Sequence, residues 1–105
     1  ELELMKKNSV LVNTSRGGIV NENDLYQALK SKKIRGAGMD VFISEPPESN
    51  HPFFQLNNIL LTPHNAALTL ECRRRMSLEA SENIFYFLKN MPDLNEDNLV
   101  NKKFL

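Results

Sequence analysis

The chain is 105 residues long and 41% hydrophobic, enough apolar material for one packed unit and too little for two. Thirteen basic residues balance thirteen acidic ones, so no charge footprint argues for nucleic acid or an anionic membrane surface as a partner. No apolar run approaches the roughly 20 residues that cross a bilayer, and the opening Glu1 to Lys7 has no signal-peptide character, so a cytoplasmic protein is expected.

Ser9-Val10-Leu11-Val12-Asn13 is a continuous apolar, β-branched run, which predicts a strand over 9–13 buried on both faces, as in a parallel sheet. Thr14 to Val20 follows as a loop in which Gly17 and Gly18 permit a tight backbone path. Asn13-Thr14-Ser15 matches the glycosylation sequon, but its place directly after an apolar strand makes it a chance match. A helix is predicted over 22–31, with Asn21 as N-cap, Asp24 near the first-turn amides, and Leu25, Ala28 and Leu29 on its apolar face. Lys30, Lys32 and Lys33 complement the carbonyl dipole at its end and read as a solvated terminus.

A second strand is predicted over 37–42, one βαβ crossover after the first and therefore parallel to it. Pro46, Pro47 and Pro52 make 43–58 a loop, in which the turn His51-Pro52-Phe53-Phe54 is expected to tuck both aromatics inward. A third strand over 59–62 is stopped by Pro63. The longest helical pattern covers 69–90, and its stripe of Cys72, Met76, Ala80, Ile84, Phe87, Leu88 and Met91 reads as core packing. Cys72 is the only thiol, so no internal disulfide can form, and no His/Cys cluster at ligand spacing points to a metal. Beyond Pro92 the chain reads as a polar tail, 93–105.

In open parallel sheets ligands bind outside the carboxyl ends of the strands. Arg16 follows the first strand, Asp40 and Glu45 end or follow the second, and His64 follows the third, so all four fall on one edge. An arginine offers a planar fork to a carboxylate, a histidine exchanges a proton near neutral pH, and a carboxylate can orient and charge that histidine. Each residue alone reads more simply as a solvated or turn residue, and the joint placement is what makes a candidate site.

Val10-Leu11-Val12-Asn13-Thr14-Ser15-Arg16-Gly17-Gly18-Ile19-Val20, then Gly36-Ala37-Gly38-Met39-Asp40-Val41-Phe42 with Glu45-Pro46, then Leu61-Thr62-Pro63-His64 resemble the D-isomer-specific 2-hydroxyacid dehydrogenases. The resemblance runs in order from about Glu3 to Asn95. It implies that Arg16 binds the substrate carboxylate and carbonyl, that His64 is the acid/base, and that Glu45 hydrogen-bonds the histidine. It also implies that Asp40 lies near the nicotinamide, with Thr14, Ser15, Arg16 and His64 as further cofactor contacts. The implied reaction is reversible reduction of a 2-oxo acid to a D-2-hydroxy acid by NADH or NADPH.

The sequence contains no Gly-x-Gly-x-x-Gly and no acidic residue placed about 20 residues after one. In the family that fingerprint lies upstream. Residues 1–92 are therefore expected to be the C-terminal half of an NAD(P)-binding Rossmann-type α/β domain, a partial parallel sheet with flanking helices, inactive alone. The tail after Pro92 corresponds to the segment that returns toward a separate substrate domain. Missing strands would leave a sheet edge and helix faces bare, which predicts a homo-oligomer, a dimer through the long helix. Asn65-Ala66-Ala67 stands where many members carry a glycine, which bears on the shape of the substrate pocket. Two alternatives share the motifs. A formate dehydrogenase relative would pair its histidine with glutamine where this chain has Glu45, and a dinucleotide-sensing, corepressor-like interaction protein would retain the same trio.

Overall fold

A computed structural model describes residues 1–89, in two compact units, Glu1–Ala66 and the segment from Ala67 on. The first contains β1 (Val10–Asn13), α1 (Glu22–Lys30), β2 (Gly36–Met39) and β3 (Ile59–Leu61), with 3-10 turns at Leu2–Leu4 and Pro52–Gln55; the second contains α2 (Leu70–Leu88). Among the described residues the buried core lies in the first unit. Met91, the boundary at 92 and the tail 93–105 lie outside the described residues.

The sheet is parallel throughout, in the order β1-β2-β3, with Leu11 opposite Ala37 and Asn13 opposite Met39. Alternation puts Leu11, Ala37, Met39, Ile59 and Leu61 on one face, and there they pack with Leu25, Ala28 and Leu29 of α1. Leu25, Leu29, Ile34, Met39 and Phe53 lose essentially all solvent contact, each contributing about 2 kcal/mol of transfer free energy. The opposite face carries Val12 at 66% and Leu60 at 70% exposure, so β1 is buried on one face and not on two. The single crossover helix of this unit covers one side of the sheet, and a parallel sheet needs a second layer to bury the other.

Asn21 caps α1 as expected, its Oδ1 accepting from the N–H groups of Asn23 and Asp24. At the other end Lys33 N–H donates to the Ala28 carbonyl and Lys32 N–H to the Leu29 carbonyl, with Lys32 at φ 55°. That is a Schellman closure with lysine at the left-handed position where glycine is usual. Lys32→Gly is therefore expected to raise stability by about 0.5–1 kcal/mol, the left-handed penalty of an L-residue less glycine's greater unfolded-state entropy; denaturant unfolding of the two chains checks this. Lys30 and Lys32 are exposed, as expected of a solvated terminus, and Lys33 is half-buried. Lys33 pairs with Glu3 at 3.5 Å and the Lys30 ammonium lies 5.3 Å from the centre of the Tyr26 ring.

β2 stops at Met39, short of the predicted 42, because β1 has ended at Asn13 and β3 at Leu61, so no ladder partner remains. Val41 and Phe42 stay buried as loop, and the Phe42 and Ile43 N–H groups go to side chains. Of the two aromatics expected inward, Phe53 is buried and Phe54 is 52% exposed. Successive residues of a 3-10 turn point about 120° apart, so only one can face the core.

Thr69 Oγ1 caps α2 by accepting from Cys72 N–H. The expected core stripe is not buried: no α2 residue is, Ile84 is 62% exposed, and Cys72 is only half-buried. An amphipathic stripe is buried only against a second apolar surface, and within its own unit α2 has none among the described residues. No helix among the described residues is long and apolar enough to cross a membrane.

Candidate functional site at the carboxyl edge of the sheet

The loop after β1 is shaped by Asn13, whose side chain is buried. Its Oδ1 accepts from Ser15 N–H at 3.1 Å and its Nδ2 donates to the Arg16 carbonyl at 3.0 Å. With both ends of the amide engaged and the residue 5% exposed, the sequon reading loses its acceptor. Thr14, Ser15 and Arg16 are exposed. Gly17 lies against the segment that follows β2: a Cβ there would stand 2.0 Å from the Phe42 carbonyl oxygen and 2.6 Å from the Ile43 nitrogen. Glycine is required at this point by close backbone approach, which brings the Arg16 loop onto the Phe42–Glu45 turn.

At the end of β2, Asp40 is buried and organises the loop after β3. Oδ1 accepts from the Thr62 hydroxyl and from Asn65 N–H at 2.9 Å, and Oδ2 accepts from Ala66 N–H at 2.9 Å. These bonds hold His64 in the left-handed region, at φ 54°, a conformation that histidine adopts more readily than most residues and that marks sites held by their surroundings. The Thr62 hydroxyl foremost, then the two amides, hold the Asp40 carboxyl below its ordinary range against the opposing effect of burial.

Glu45 and His64 meet directly, Oε2 lying 2.7 Å from Nδ1, while Glu45 Oε1 accepts from Phe42 N–H at 2.9 Å. The bond from His64, and after it the Phe42 amide, keep the Glu45 carboxyl below its usual range, with the charges of His64 and Arg16 adding to the effect. Glu45 meets His64 through Nδ1, so Nε2 is the ring nitrogen left outside the pair. The His64 side chain is 46% exposed and that of Glu45 37%, so the pair is open to a small molecule. Arg16 Nη1 donates to its neighbour's carbonyl, that of Ser15, at 2.7 Å, leaving most of the guanidinium fork unused. The geometry thus brings Arg16, Glu45 and His64 to one edge and sets Asp40 beneath them as the anchor of the His64 loop. Sequence reasoning missed Asn13 and Thr62, the groups that shape the two loops. For Asn13 a signal existed, since an Asn that ends a strand two residues before Ser is an Asx-turn pattern.

Both carboxylates titrate lower when folded, so the folded state binds fewer protons than the unfolded chain in the acid range. Their contribution to stability is complete above about pH 5, beyond the ordinary carboxylate range, and is lost as pH falls through the lowered folded values. Thermal melts are expected to drop on acidification below about pH 5, and Asp40→Asn, which turns an amide donor toward donors, should both lower the melting temperature and flatten that slope. Melting that does not change on acidification would count against the carboxylate networks.

Three parallel strands with a crossover helix and charged side chains at the carboxyl edge define the class: a Rossmann-type sheet. Residues 1–66 match the family model for D-isomer specific 2-hydroxyacid dehydrogenase, NAD binding domain, and the chain belongs to that family. It is 45% identical over 106 residues to a glyoxylate reductase of Thermococcus litoralis, covering all of this chain and 30% of the relative. To a D-3-phosphoglycerate dehydrogenase of Methanocaldococcus jannaschii it is 40% identical over 107 residues, covering 94% of this chain and 20% of that one. Among solved structures, an acyclic imino acid reductase in complex with NADPH and D-arginine is similar with a TM-score of 0.76 at 40% identity, over 89% of this chain and 29% of the other. The chain therefore spans only 20% to 30% of the length of these proteins.

Proposed function

We propose that this chain is the nicotinamide- and substrate-facing half of an NAD(P)-dependent D-2-hydroxyacid dehydrogenase, with residues 1–92 as the C-terminal part of its dinucleotide domain and 93–105 as a tail. The observation that supports this reading is the 2.7 Å Glu45–His64 contact at the sheet's carboxyl edge, with the charge of Arg16 felt at Glu45. The glutamate in that pair favours this reading over the formate dehydrogenase one, in which glutamine is the partner.

The residues present fit the nicotinamide end of the cofactor. Asp40 Oδ2 draws one hydrogen bond and keeps a lone pair for a carboxamide donor, and the exposed Thr14, Ser15 and Arg16 loop offers hydroxyls and peptide groups beside it. The phosphate cradle is supplied elsewhere, since this sequence holds no such fingerprint. When bound, NADH or NADPH supplies a hydride to the carbonyl carbon of a 2-oxo acid. Arg16 holds the substrate carboxylate with its free N–H groups and stabilises the negative charge that grows on the carbonyl oxygen. His64 gives a proton from Nε2 to that oxygen. Glu45 accepts at Nδ1, which fixes the orientation of the ring for transfer from Nε2.

Two measurements test the reading. Titrated alone with NADH, the chain is expected to show no saturable fluorescence change. Substituted for the homologous 106-residue segment of the Thermococcus litoralis glyoxylate reductase, it is expected to restore NADH- or NADPH-dependent reduction of one or more among glyoxylate, hydroxypyruvate and phosphohydroxypyruvate. A folded chimera that binds NADH or NADPH and reduces none of them would overturn the assignment of Arg16, Glu45 and His64.

A further inference from the structure

The Phe42 and Ile43 N–H groups are neighbours, and each donates to a different glutamate that in turn meets a histidine. Phe42 N–H goes to Glu45, which holds His64; Ile43 N–H goes to Glu22 Oε1 at 2.8 Å, and Glu22 Oε2 lies 3.3 Å from His51 Nε2. The second pair is far more enclosed than the first, with 16% of the His51 side chain and 15% of the Glu22 side chain exposed, against 46% and 37% for His64 and Glu45. His51 Nδ1 accepts from Phe53 N–H at 3.3 Å, which places the proton of the neutral ring on Nε2, facing Glu22. Its ring is fixed edge-on against Phe42, Phe53 and Phe54, with centroids 5.5, 4.9 and 6.0 Å away.

We infer that Glu22 and His51 are positioning residues for the acid/base pair: they fix the Phe42–Ile43 peptide, and through it the Glu45 carboxylate that orients His64. The inference rests on the Glu45–His64 reading above and assigns the device that holds it. Glu22 is suited to the task because it is the first residue of α1, so its backbone is set by the helix and its carboxylate needs only to reach across to the loop. Gly17 meets the same Phe42–Ile43 peptide through close backbone approach. The turn that carries Glu45 is thus held at its carbonyl by packing and at two successive N–H groups by carboxylates. Because His51 caps the 3-10 turn with one nitrogen and meets Glu22 with the other, the two roles separate by substitution. Asparagine retains a cap acceptor but cannot reach Glu22, whereas glutamine places a donor near the position of Nε2 but gives up the cap.

The test is the tautomer of the neutral histidine rings in the full chain, read from ring nitrogen shifts by NMR. In the unsubstituted chain His51 is expected as the Nε2–H form and His64 as the Nδ1–H form. In His51→Asn and in Glu22→Ala the ratio of Nδ1–H to Nε2–H at His64 is expected to fall about tenfold, the scale of one lost hydrogen bond. In His51→Gln it should stay near its original value although the turn has lost its cap. An unchanged His64 in both His51→Asn and Glu22→Ala would overturn the positioning role while leaving the Glu45–His64 pair standing, and so would equal losses in His51→Asn and His51→Gln. A His64 that is not Nδ1–H in the unsubstituted chain would overturn the acid/base reading itself and the positioning role with it.

Discussion

Replacing His64 with glutamine in an enzyme completed by this chain is expected to lower turnover by about 10²- to 10⁴-fold, the range a positioned proton donor contributes, and to cost affinity for NADH far less. A glutamine amide can stand where Nε2 stands and still donate a hydrogen bond, but it cannot release the proton, so binding survives and transfer does not. The backbone adds a control. His64 sits at φ 54°, where most side chains are strained and asparagine is not. His64→Asn should therefore lose as much turnover as His64→Gln while melting at least as high, which separates lost chemistry from lost structure. Turnover within a few-fold of the parent in either variant would remove His64 from the reaction.

How much of this was legible in the sequence depends on the range of the interaction involved. β1, α1, β2 and β3 announce themselves through local pattern, and the crossover length fixes β1 and β2 as parallel. Arg16, Glu45 and His64 could be placed on one edge because the ends of parallel strands share one edge whatever the loops do. What the sequence did not carry were the partners of single atoms. Glu22 lies 29 residues from His51 and 21 from Ile43, and Asp40 lies 22 from Thr62; no periodicity encodes such pairings. Ile43 to Asn58 therefore read as a loop with one turn at His51–Phe54 and a candidate at Glu45, while the bond from Ile43 N–H to Glu22 and the Glu22–His51 pair stayed out of reach. The apolar stripe of α2 shows the opposite limit. Its spacing is a true helical signal, and the helix forms over Leu70–Leu88, but periodicity states only which side wants cover and not whether the chain provides it.

Gly17→Ala is expected to be the most damaging small substitution, costing about 3 kcal/mol, the upper end for overpacking and a large share of the roughly 5–15 kcal/mol that stabilises a domain. The added methyl would enter the Phe42 carbonyl group, 2.0 Å from its oxygen, and neither side can yield cheaply. Val41 and Phe42 are built into the buried segment, at 0% and 7% exposure, and the facing loop is fixed by the two hydrogen bonds of Asn13. Whichever side moves, the site opens: an outward shift of the loop carries Arg16 away, and a shift of the Val41–Ile43 backbone withdraws the N–H donors from Glu45 and Glu22. Gly18 is the internal comparison. Its φ of +80° makes alanine strained there, but no atom beyond the adjoining residues lies within 4 Å of the new methyl, so Gly18→Ala should cost only about 1–2 kcal/mol, the left-handed penalty alone. Denaturant unfolding ranks the two, and the Phe42 and Ile43 amide signals report the displacement directly. A Gly17→Ala chain as stable as Gly18→Ala, with those two amides unshifted, would mean that the Arg16 loop and the Glu45 turn are not in backbone contact, and the trio would lose the packing that brings it together.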